Sequence, residues 1–255
     1  MNNWLFGRDQ ILEIIKSLEK AKIDIIECGY LELNGIRNEH STRFSSINSF
    51  EDIMSDVSPE IVNSQLFLMI DYKPELPFEE IPHKNNTKGC LDGIRLAFSK
   101  KHYKQAIKCA SDLMEKGYKV CIQPMVTSSY KDQELLDLIN LTNQLNPFAF
   151  YIVDTLGTMN NEDVERLYHL VDQNLNKSIK LGLHTHNNNQ LAYSNSVEFL
   201  NIGNDRGLML DSSLYGMGRE GGNLNTEIIA DYLNKSTGTS FNLIPLLQII
   251  DNIFK

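Results

Sequence analysis

The sequence predicts an α/β protein that folds as a (β/α)8 TIM barrel, without the first strand of such a barrel. Strand-like apolar runs alternate with amphipathic helical segments along the chain, and each strand-plus-helix unit takes about 30 residues. No GxGxxG motif follows the first apolar run, which disfavours an open dinucleotide-binding sheet. At 255 residues, the chain is expected to form one barrel domain over residues 1–255.

The predicted strands are runs rich in β-branched and apolar residues. They cover 24–31, 65–72, 93–99, 120–127, 149–155, 179–186 and 208–216. Helical spacing marks 7–23, 50–58, 104–117, 132–145, 161–175, 191–203 and about 226–233, and an amphipathic tail at 242–254 is expected to pack on the barrel. A barrel of this kind opens with a strand, yet 7–23 already has the pattern of its first helix.

Composition excludes several classes of function. A formal net charge of -9 gives no electrostatic footprint for nucleic acid or for an anionic membrane surface. No apolar stretch approaches the ~20 residues of a membrane span, and the polar start lacks the features of a signal peptide. Four cysteines without CxxC spacing indicate reduced thiols. We therefore expect a cytoplasmic protein that acts on a small molecule.

Two histidines in LGLHTHNNNQ, residues 181–190, are the first candidate site. Strand alternation puts Leu183 and Thr185 on one face, and His184 and His186 on the other. Because the apolar face should meet the outer helices, both histidines are expected to point into the barrel at its C-terminal mouth, where barrel enzymes place their active sites. The HxH spacing alone is weak evidence for a metal site, since single histidines are often core or surface groups.

Two loops after predicted strands are further candidates. Four glycines at 216, 218, 221 and 222 precede a helix, so this loop is either an anion cradle at a helix start or a long turn. In VDTLGTM, Asp154 and Thr155 end a strand, and Asp154 is either a functional carboxylate or a turn-forming residue.

Two charges lie within otherwise apolar strands. Glu27 shares parity with Ile25, and Arg95 stands between Ile94 and Leu96. A buried charge is costly unless it is paired. Each therefore belongs either to a functional site or to a structural ion pair.

Five segments together resemble successive signatures of the metal-dependent pyruvate-type aldolase and lyase barrels. They are IIECGYLE, GIRLAFS, VDTLGTM, LGLHTHNNNQLAYSNS and LYGMGREGGNLNTE. This family includes 4-hydroxy-2-oxovalerate aldolase, hydroxymethylglutaryl-CoA lyase and the isopropylmalate synthases. Its most specific match is HxH followed, 37 positions after His186, by Asn223 of GxGxxxGN. GYLELNGIRNEHSTRF and DTLGTM favour the 4-hydroxy-2-oxovalerate aldolase branch.

The resemblance implies a divalent cation, Mn²⁺ or Mg²⁺, and cleavage of a 4-hydroxy-2-oxo acid to pyruvate and an aldehyde, or the reverse condensation. Cleavage leaves an enolate, and the cation stabilises the oxygen on which its charge develops. The residues assigned by the resemblance and by their position are His184, His186 and Asn223 to the metal, Glu27 to catalysis, and Arg95 and Thr155 to the substrate.

The resemblance also implies a first strand with a T-L-R-D-G motif, which supplies a third metal ligand and an arginine. The pair Arg8-Asp9 lies only 19 positions before Glu27, too few for a strand, a loop and a helix. We therefore assign the pair to the first turn of a helix, near the barrel base. Either the chain start is misplaced or the protein lacks this strand, in which case sheet edges would be exposed.

Two alternative functions stay open. One is an acyl-CoA-dependent Claisen-type lyase or synthase. The other is a catalytically inactive barrel that serves as a binding or subunit-interaction module. A homo-oligomer or a partner subunit is also compatible with the sequence, because two histidines and one amide make a poor site for a hard cation.

Overall fold

A curved parallel sheet organises the chain, in agreement with the predicted barrel class. The computed structural model describes residues 5–35, 41–203 and 206–253. The strands are β1 (Ile25–Leu31), β2 (Arg43–Phe44), β3 (Gln65–Asp71), β4 (Gly93–Phe98), β5 (Lys119–Pro124), β6 (Ala149–Asp154), β7 (Lys180–Thr185) and β8 (Leu208–Leu210). Their order is β2-β1-β3-β4-β5-β6-β7-β8, and every pairing is parallel. All the predicted strands are present, and the two-residue β2 was not predicted.

The helices cover the outside of this sheet. They are α1 (Arg8–Lys20), α2 (Ile47–Met54), α3 (Tyr103–Glu115), α4 (Asp132–Leu145), α5 (Asn161–Asn174), α6 (Ala192–Ile202), α7 (Thr226–Ser236) and α8 (Leu243–Ile253). The predicted tail helix is α8, whose Leu246 and Ile249 share an apolar cluster with Ala21. The end of that prediction, Phe254, lies outside the described residues. Within the described ranges, no helix has the length and apolarity needed to span a membrane.

The inner face of the sheet has its own apolar cluster, which includes Phe67, Cys121, Tyr151 and Val153. Gly182 of β7 faces this cluster, since a Cβ there would lie 2.3 Å from the Tyr151 ring. Side chains two apart in a strand share a face. The predicted parity of β7 is therefore correct, and residues 184 and 186 follow Gly182 on the inner side.

The outer edge of β1 is covered only near its C-terminal end. The Tyr30 N–H donates to the Thr42 carbonyl at 2.8 Å, and Gly29 permits this approach because a Cβ there would lie 2.1 Å from the same oxygen. Toward its start, β1 pairs only with β3 among the described residues. The inward-facing Glu27 is consequently exposed, and no pairing within the described part of the chain joins β8 to β1 or β2.

Arg8 and Asp9 lie in the first turn of α1, as predicted. Arg8 pairs with Asp56 at 2.7 Å, on the outside of the protein. However, α1 ends only a few residues before the start of β1, so its first turn lies at the opposite end from the strand starts. The prediction that this pair lies near the barrel base is therefore wrong, because the helix runs antiparallel to the strand that follows it.

Glu19 fixes the C-terminal end of α1 to the segment before β3. Its carboxylate accepts the backbone N–H groups of Val62, Asn63 and Ser64 at 3.1, 2.9 and 2.9 Å, and the Asn63 side-chain amide at 2.7 Å. Burial raises the pKa of Glu19, but these hydrogen bonds outweigh burial and lower it to about 2. The ionised carboxylate therefore holds the helix end in place.

We expect Glu19→Gln to destabilise the protein by about 1.5–3 kcal/mol at pH 7, since a charged acceptor of several hydrogen bonds is lost. The folded pKa of about 2 lies below the ordinary value of 4.5. The contribution is thus fully present above pH 4.5 and declines as the pH falls toward 2. Urea unfolding from pH 7 to pH 3.5 should show the difference between wild type and variant narrowing. The exposed Glu115→Gln is the control, and a difference that does not change with pH would contradict the assignment.

Candidate metal centre

The structure brings the three predicted metal ligands together at the mouth of the barrel. His184 lies near the end of β7, and His186 follows the strand. Their rings form an edge-to-face pair with centroids 5.1 Å apart. Asn223 lies in the loop after β8 and forms an isolated antiparallel bridge with His186. His184, His186 and Asn223, which span 39 positions of the sequence, thus lie at the same end of the sheet.

Asn223 presents an oxygen that lacks a hydrogen-bond donor. Its Nδ2 donates to the Met217 carbonyl at 2.7 Å and lies 3.5 Å from the Ser213 hydroxyl. The absence of a side chain at Gly218 leaves room for this amide, since a Cβ there would lie 2.6 Å from Nδ2. The Oδ1 atom is buried and has no partner among the described residues. Because Nδ2 is held by a carbonyl, the orientation of the amide is defined and Oδ1 is available to a cation.

His186 is an electrically neutral imidazole at pH 7. Burial, and secondly the neighbouring His184, lower the pKa of His186 to about 4. Its Nδ1 atom is buried and has no hydrogen-bond partner within the described part of the chain. Neutral imidazole is the form that binds metal ions. The chemistry of His186 therefore fits the role predicted from sequence.

Asp211 contacts His184 and was missed by sequence reasoning. Its Oδ2 lies 2.9 Å from the His184 Nδ1. Burial raises the pKa of Asp211, but the charges of Arg95 and His184 outweigh burial and hold that pKa below its usual range. Strand alternation could have identified Asp211, because it lies two positions after Met209 and so on the same, inner face of the sheet.

Arg95 crosses the inner face from β4 and joins two carboxylates. Its guanidinium donates to Glu27 of β1 and to Asp211 after β8, and it lies 5.3 Å from the centroid of the Tyr151 ring. Arg95 is 7% exposed. The structural ion pair left open by the sequence is therefore present. Its Nε is buried without a partner among the described residues, and its role toward substrate stays a prediction.

The turn after β6 explains Asp154 and Thr155. The Asp154 carboxylate accepts the N–H groups of Thr158 at 3.1 Å and Met159 at 3.2 Å, so Asp154 is the turn-forming residue that was one of two alternatives. The Thr155 hydroxyl accepts a hydrogen bond from the Val126 N–H at 2.8 Å. This bond holds Val126 in a left-handed conformation with a φ of 51°. The proposed contact of Thr155 with substrate stays a prediction.

The consecutive asparagines after His186 join three loops. Asn188 donates to the Leu156 carbonyl at 2.9 Å and accepts the Gly221 N–H at 2.8 Å. Asn187 donates its N–H to the Gly222 carbonyl at 2.8 Å. The Gly222 and Asn223 N–H groups also bond to carbonyls within the glycine loop. Since these donors are satisfied by the protein, the long-turn interpretation of this loop is favoured over an anion cradle.

The available donors suit a borderline cation better than a hard one. No group of three His, Cys, Asp or Glu side chains able to hold a metal occurs among residues 5–35, 41–203 and 206–253. His184, His186 and the Asn223 oxygen offer two imidazoles and one amide. Imidazole suits ions such as Zn²⁺, Fe²⁺ and Ni²⁺, whereas Mg²⁺ and Mn²⁺ mostly take oxygen ligands. Of the two cations that the sequence predicts, Mn²⁺ accepts imidazole more readily than Mg²⁺, and oxygen ligands from water or substrate would have to complete its coordination.

Solved structures with the same fold include an aldolase-type domain and HMG-CoA lyases. The N-terminal domain of a candidate aldolase from Bacteroides vulgatus matches with a TM-score of 0.78 at 23% identity, over 99% of this chain and 81% of that one. The HMG-CoA lyase of Bacillus subtilis matches with a TM-score of 0.74 at 16% identity, over 98% of this chain and 89% of that one. At these identities the likeness establishes the barrel fold.

The HMGL-like family model matches residues 93–252, more than half of the chain, and the protein belongs to this family. An oxaloacetate decarboxylase of Mycobacterium tuberculosis is 24% identical over 233 residues, covering 91% of this chain and 66% of the relative. A 4-hydroxy-2-oxovalerate aldolase of Carboxydothermus hydrogenoformans is 24% identical over 259 residues, covering 97% of this chain and 71% of the relative. The chain thus spans about two thirds of the length of these relatives.

We expect Arg95→Met to destabilise the protein by about 3–5 kcal/mol, because it leaves the buried Asp211 charge without its cation. The double variant Arg95→Met/Asp211→Asn should recover part of this loss, since both charges of the buried pair are removed. Urea unfolding at pH 7 measures both. The exposed pair Arg166–Asp132 supplies the control Arg166→Met, which should change stability little. Equal losses in the single and double variants would show that the ion pair is not responsible.

Proposed function

We propose that this protein is a divalent-metal-dependent lyase that cleaves a 4-hydroxy-2-oxo acid to pyruvate and an aldehyde, or catalyses the reverse condensation. The proposal rests on the pairing of the His184 and His186 rings at the barrel mouth and on the bridge that places Asn223 beside His186, with an Asn223 Oδ1 that has no partner among the described residues. Barrel enzymes place their active sites at this end. Membership of the HMGL-like family supports C–C bond chemistry there.

His184, His186 and Asn223 would hold the cation, and the two imidazoles favour Mn²⁺ over Mg²⁺, although Mn²⁺ would also need oxygen ligands. When bound, a divalent cation would stabilise the negative charge that develops on the keto oxygen of a 2-oxo acid as the C–C bond breaks. The low pKa of His186, about 4, keeps this imidazole neutral and competent to bind at neutral pH.

Arg95 and Glu27 supply the charged groups on the inner face. Arg95 is a fixed positive charge beside the site and is assigned to the substrate, where it would favour an anionic carboxylate or enolate. Glu27 is the more solvent-accessible partner of Arg95, with its side chain 32% exposed. We assign Glu27 as the general base that accepts the proton of the substrate's 4-hydroxyl group, because cleavage of the C–C bond requires that this proton leave. Thr155 retains a hydroxyl hydrogen to donate to substrate, since its oxygen accepts the Val126 N–H.

The names of the relatives support a 2-oxo acid as substrate class. Retro-aldol cleavage of a 4-hydroxy-2-oxo acid and decarboxylation of oxaloacetate both break a bond to the carbon beside the keto group, and both leave the enolate of pyruvate. One relative of this chain is named an oxaloacetate decarboxylase, and another is named a 4-hydroxy-2-oxovalerate aldolase. A site that stabilises this enolate would account for both similarities.

A catalytically inactive barrel remains the second candidate. It is favoured by one observation, namely that Asp211, the carboxylate nearest His184, is already paired with Arg95. With that carboxylate engaged, the site offers a cation weaker ligands than a free acidic side chain would.

Metal binding and pyruvate release test the proposal together. Purified protein should bind one Mn²⁺ per chain, measured by electron paramagnetic resonance of the free ion. It should release pyruvate from 4-hydroxy-2-oxovalerate, followed with lactate dehydrogenase and NADH. We expect His184→Ala and His186→Ala each to weaken Mn²⁺ binding at least 10-fold and to abolish metal-dependent pyruvate release.

The exposed His169→Ala on α5 is the matched control and should leave both measurements unchanged. Absence of stoichiometric Mn²⁺ binding, or binding unaffected by His184→Ala and His186→Ala, would overturn the metal site. Stoichiometric binding with no release from 4-hydroxy-2-oxovalerate or oxaloacetate would favour the inactive barrel.

A further inference from the structure

We propose that Asp211 is a positioning residue that fixes the ring orientation and the tautomer of His184, with Nδ1 toward Asp211 and Nε2 left as the ligand atom for the cation. The cation at Nε2 rests on the proposed function above, whereas the contact between Asp211 and His184 is independent of it. Neither the sequence pattern nor the family resemblance had assigned a role to this aspartate.

The direct contact sets the direction of the hydrogen bond. Asp211 Oδ2 lies 2.9 Å from His184 Nδ1. An ionised carboxylate can only accept a hydrogen bond, so Nδ1 must carry the hydrogen. In a neutral imidazole, the other nitrogen then bears the lone pair. Histidine ligands of metal ions commonly donate their second N–H to a carboxylate in this way, which holds the ring in one tautomer and orientation.

Asp211 is itself held in place from several directions. Its backbone N–H donates to the Leu183 carbonyl at 3.1 Å, which fixes the start of the loop beside β7. Arg95 donates to the same Oδ2 that faces His184. The Asp211 side chain is 13% exposed, so little water competes for these contacts. The carboxylate is therefore oriented before any cation arrives.

The same contacts argue against Asp211 as a direct metal ligand. Its Oδ2 already accepts from both Arg95 and His184. A divalent cation at this oxygen would lie close to the Arg95 guanidinium, and like charges at such short range repel strongly. The geometry thus favours a role through His184.

Asp211→Leu tests this role, because the substitution keeps the approximate size of the side chain while it removes the acceptor that faces His184. An amide would not serve, since Arg95 and His184 share Oδ2 and an amide oxygen at that position could accept from both. Without the carboxylate, Nδ1 loses the acceptor that holds its hydrogen, and the hydrogen can move to Nε2, where it blocks metal binding. We expect the ¹⁵N shifts of His184 in metal-free protein to change from the Nδ1–H to the Nε2–H pattern. We also expect the Kd for Mn²⁺ to rise about 10–100-fold.

Asp172→Leu is the matched control. Asp172 is also partly buried, with its side chain 18% exposed, and it pairs with the fully buried side chain of Arg206. This variant should lose stability yet leave the His184 tautomer and Mn²⁺ binding unchanged. If Asp211→Leu does not fold, the double variant Arg95→Met/Asp211→Leu removes both buried charges and should still lose the Nδ1–H pattern. Asp211→Glu, which restores a carboxylate, should retain that pattern.

The two proposals can fail separately. A wild-type chain that binds no Mn²⁺ but shows the Nδ1–H pattern, lost in Asp211→Leu, would support the positioning role and overturn the metal site. Wild-type His184 in the Nε2–H form would overturn the positioning role. Mn²⁺ binding that is equally tight in wild type and Asp211→Leu would also overturn it, while leaving the metal-dependent function standing.

Discussion

The geometry of the site depends on the buried guanidinium of Arg95, because its two ion pairs link β1 to the segment that follows β8. Glu27 comes from β1 and Asp211 follows β8, and no backbone pairing connects these two strands among the described residues. In a closed barrel, hydrogen bonds between neighbouring strands would fix their separation. Here the side chain of β4 provides a direct link between them. Buried ion pairs add little net stability, but the loss of one partner is costly, so such pairs can specify an arrangement.

From Arg95 the arrangement extends to the candidate ligands. Asp211 accepts from Arg95 and contacts His184, whose ring packs against that of His186. His186 pairs in turn with Asn223, and the asparagine loop fastens this region to the loops after β6 and β8. These polar groups come from the middle of β4, the end of β7 and the segment that follows β8. A change at Arg95 is therefore expected to reach the histidines through Asp211.

Local pattern was sufficient to predict the strands, the helices and the inward direction of His184. Alternation in a strand is a property of neighbouring residues, and one sequence contains it. The contact between Arg95 and Asp211 joins residues 116 positions apart, and no local pattern encodes that distance. β2 was missed because two residues carry no periodicity. The prediction that Arg8 lies at the base of the barrel was wrong because α1 runs antiparallel to β1, which places the first turn of α1 away from the strand starts.

The balance of charge at the barrel mouth is consistent with the proposed binding of a dication. Glu27 and Asp211 contribute two negative charges, and Arg95 contributes one positive charge. With His186 neutral, these three charged groups leave one net negative charge near the histidines. A dication is attracted by this charge, although less strongly than by an unpaired carboxylate. A 2-oxo acid brings a carboxylate of its own, so cation and substrate together would come closer to neutrality than either alone. Under the proposed function, the charge balance would therefore favour joint binding of cation and substrate over tight binding of the cation alone.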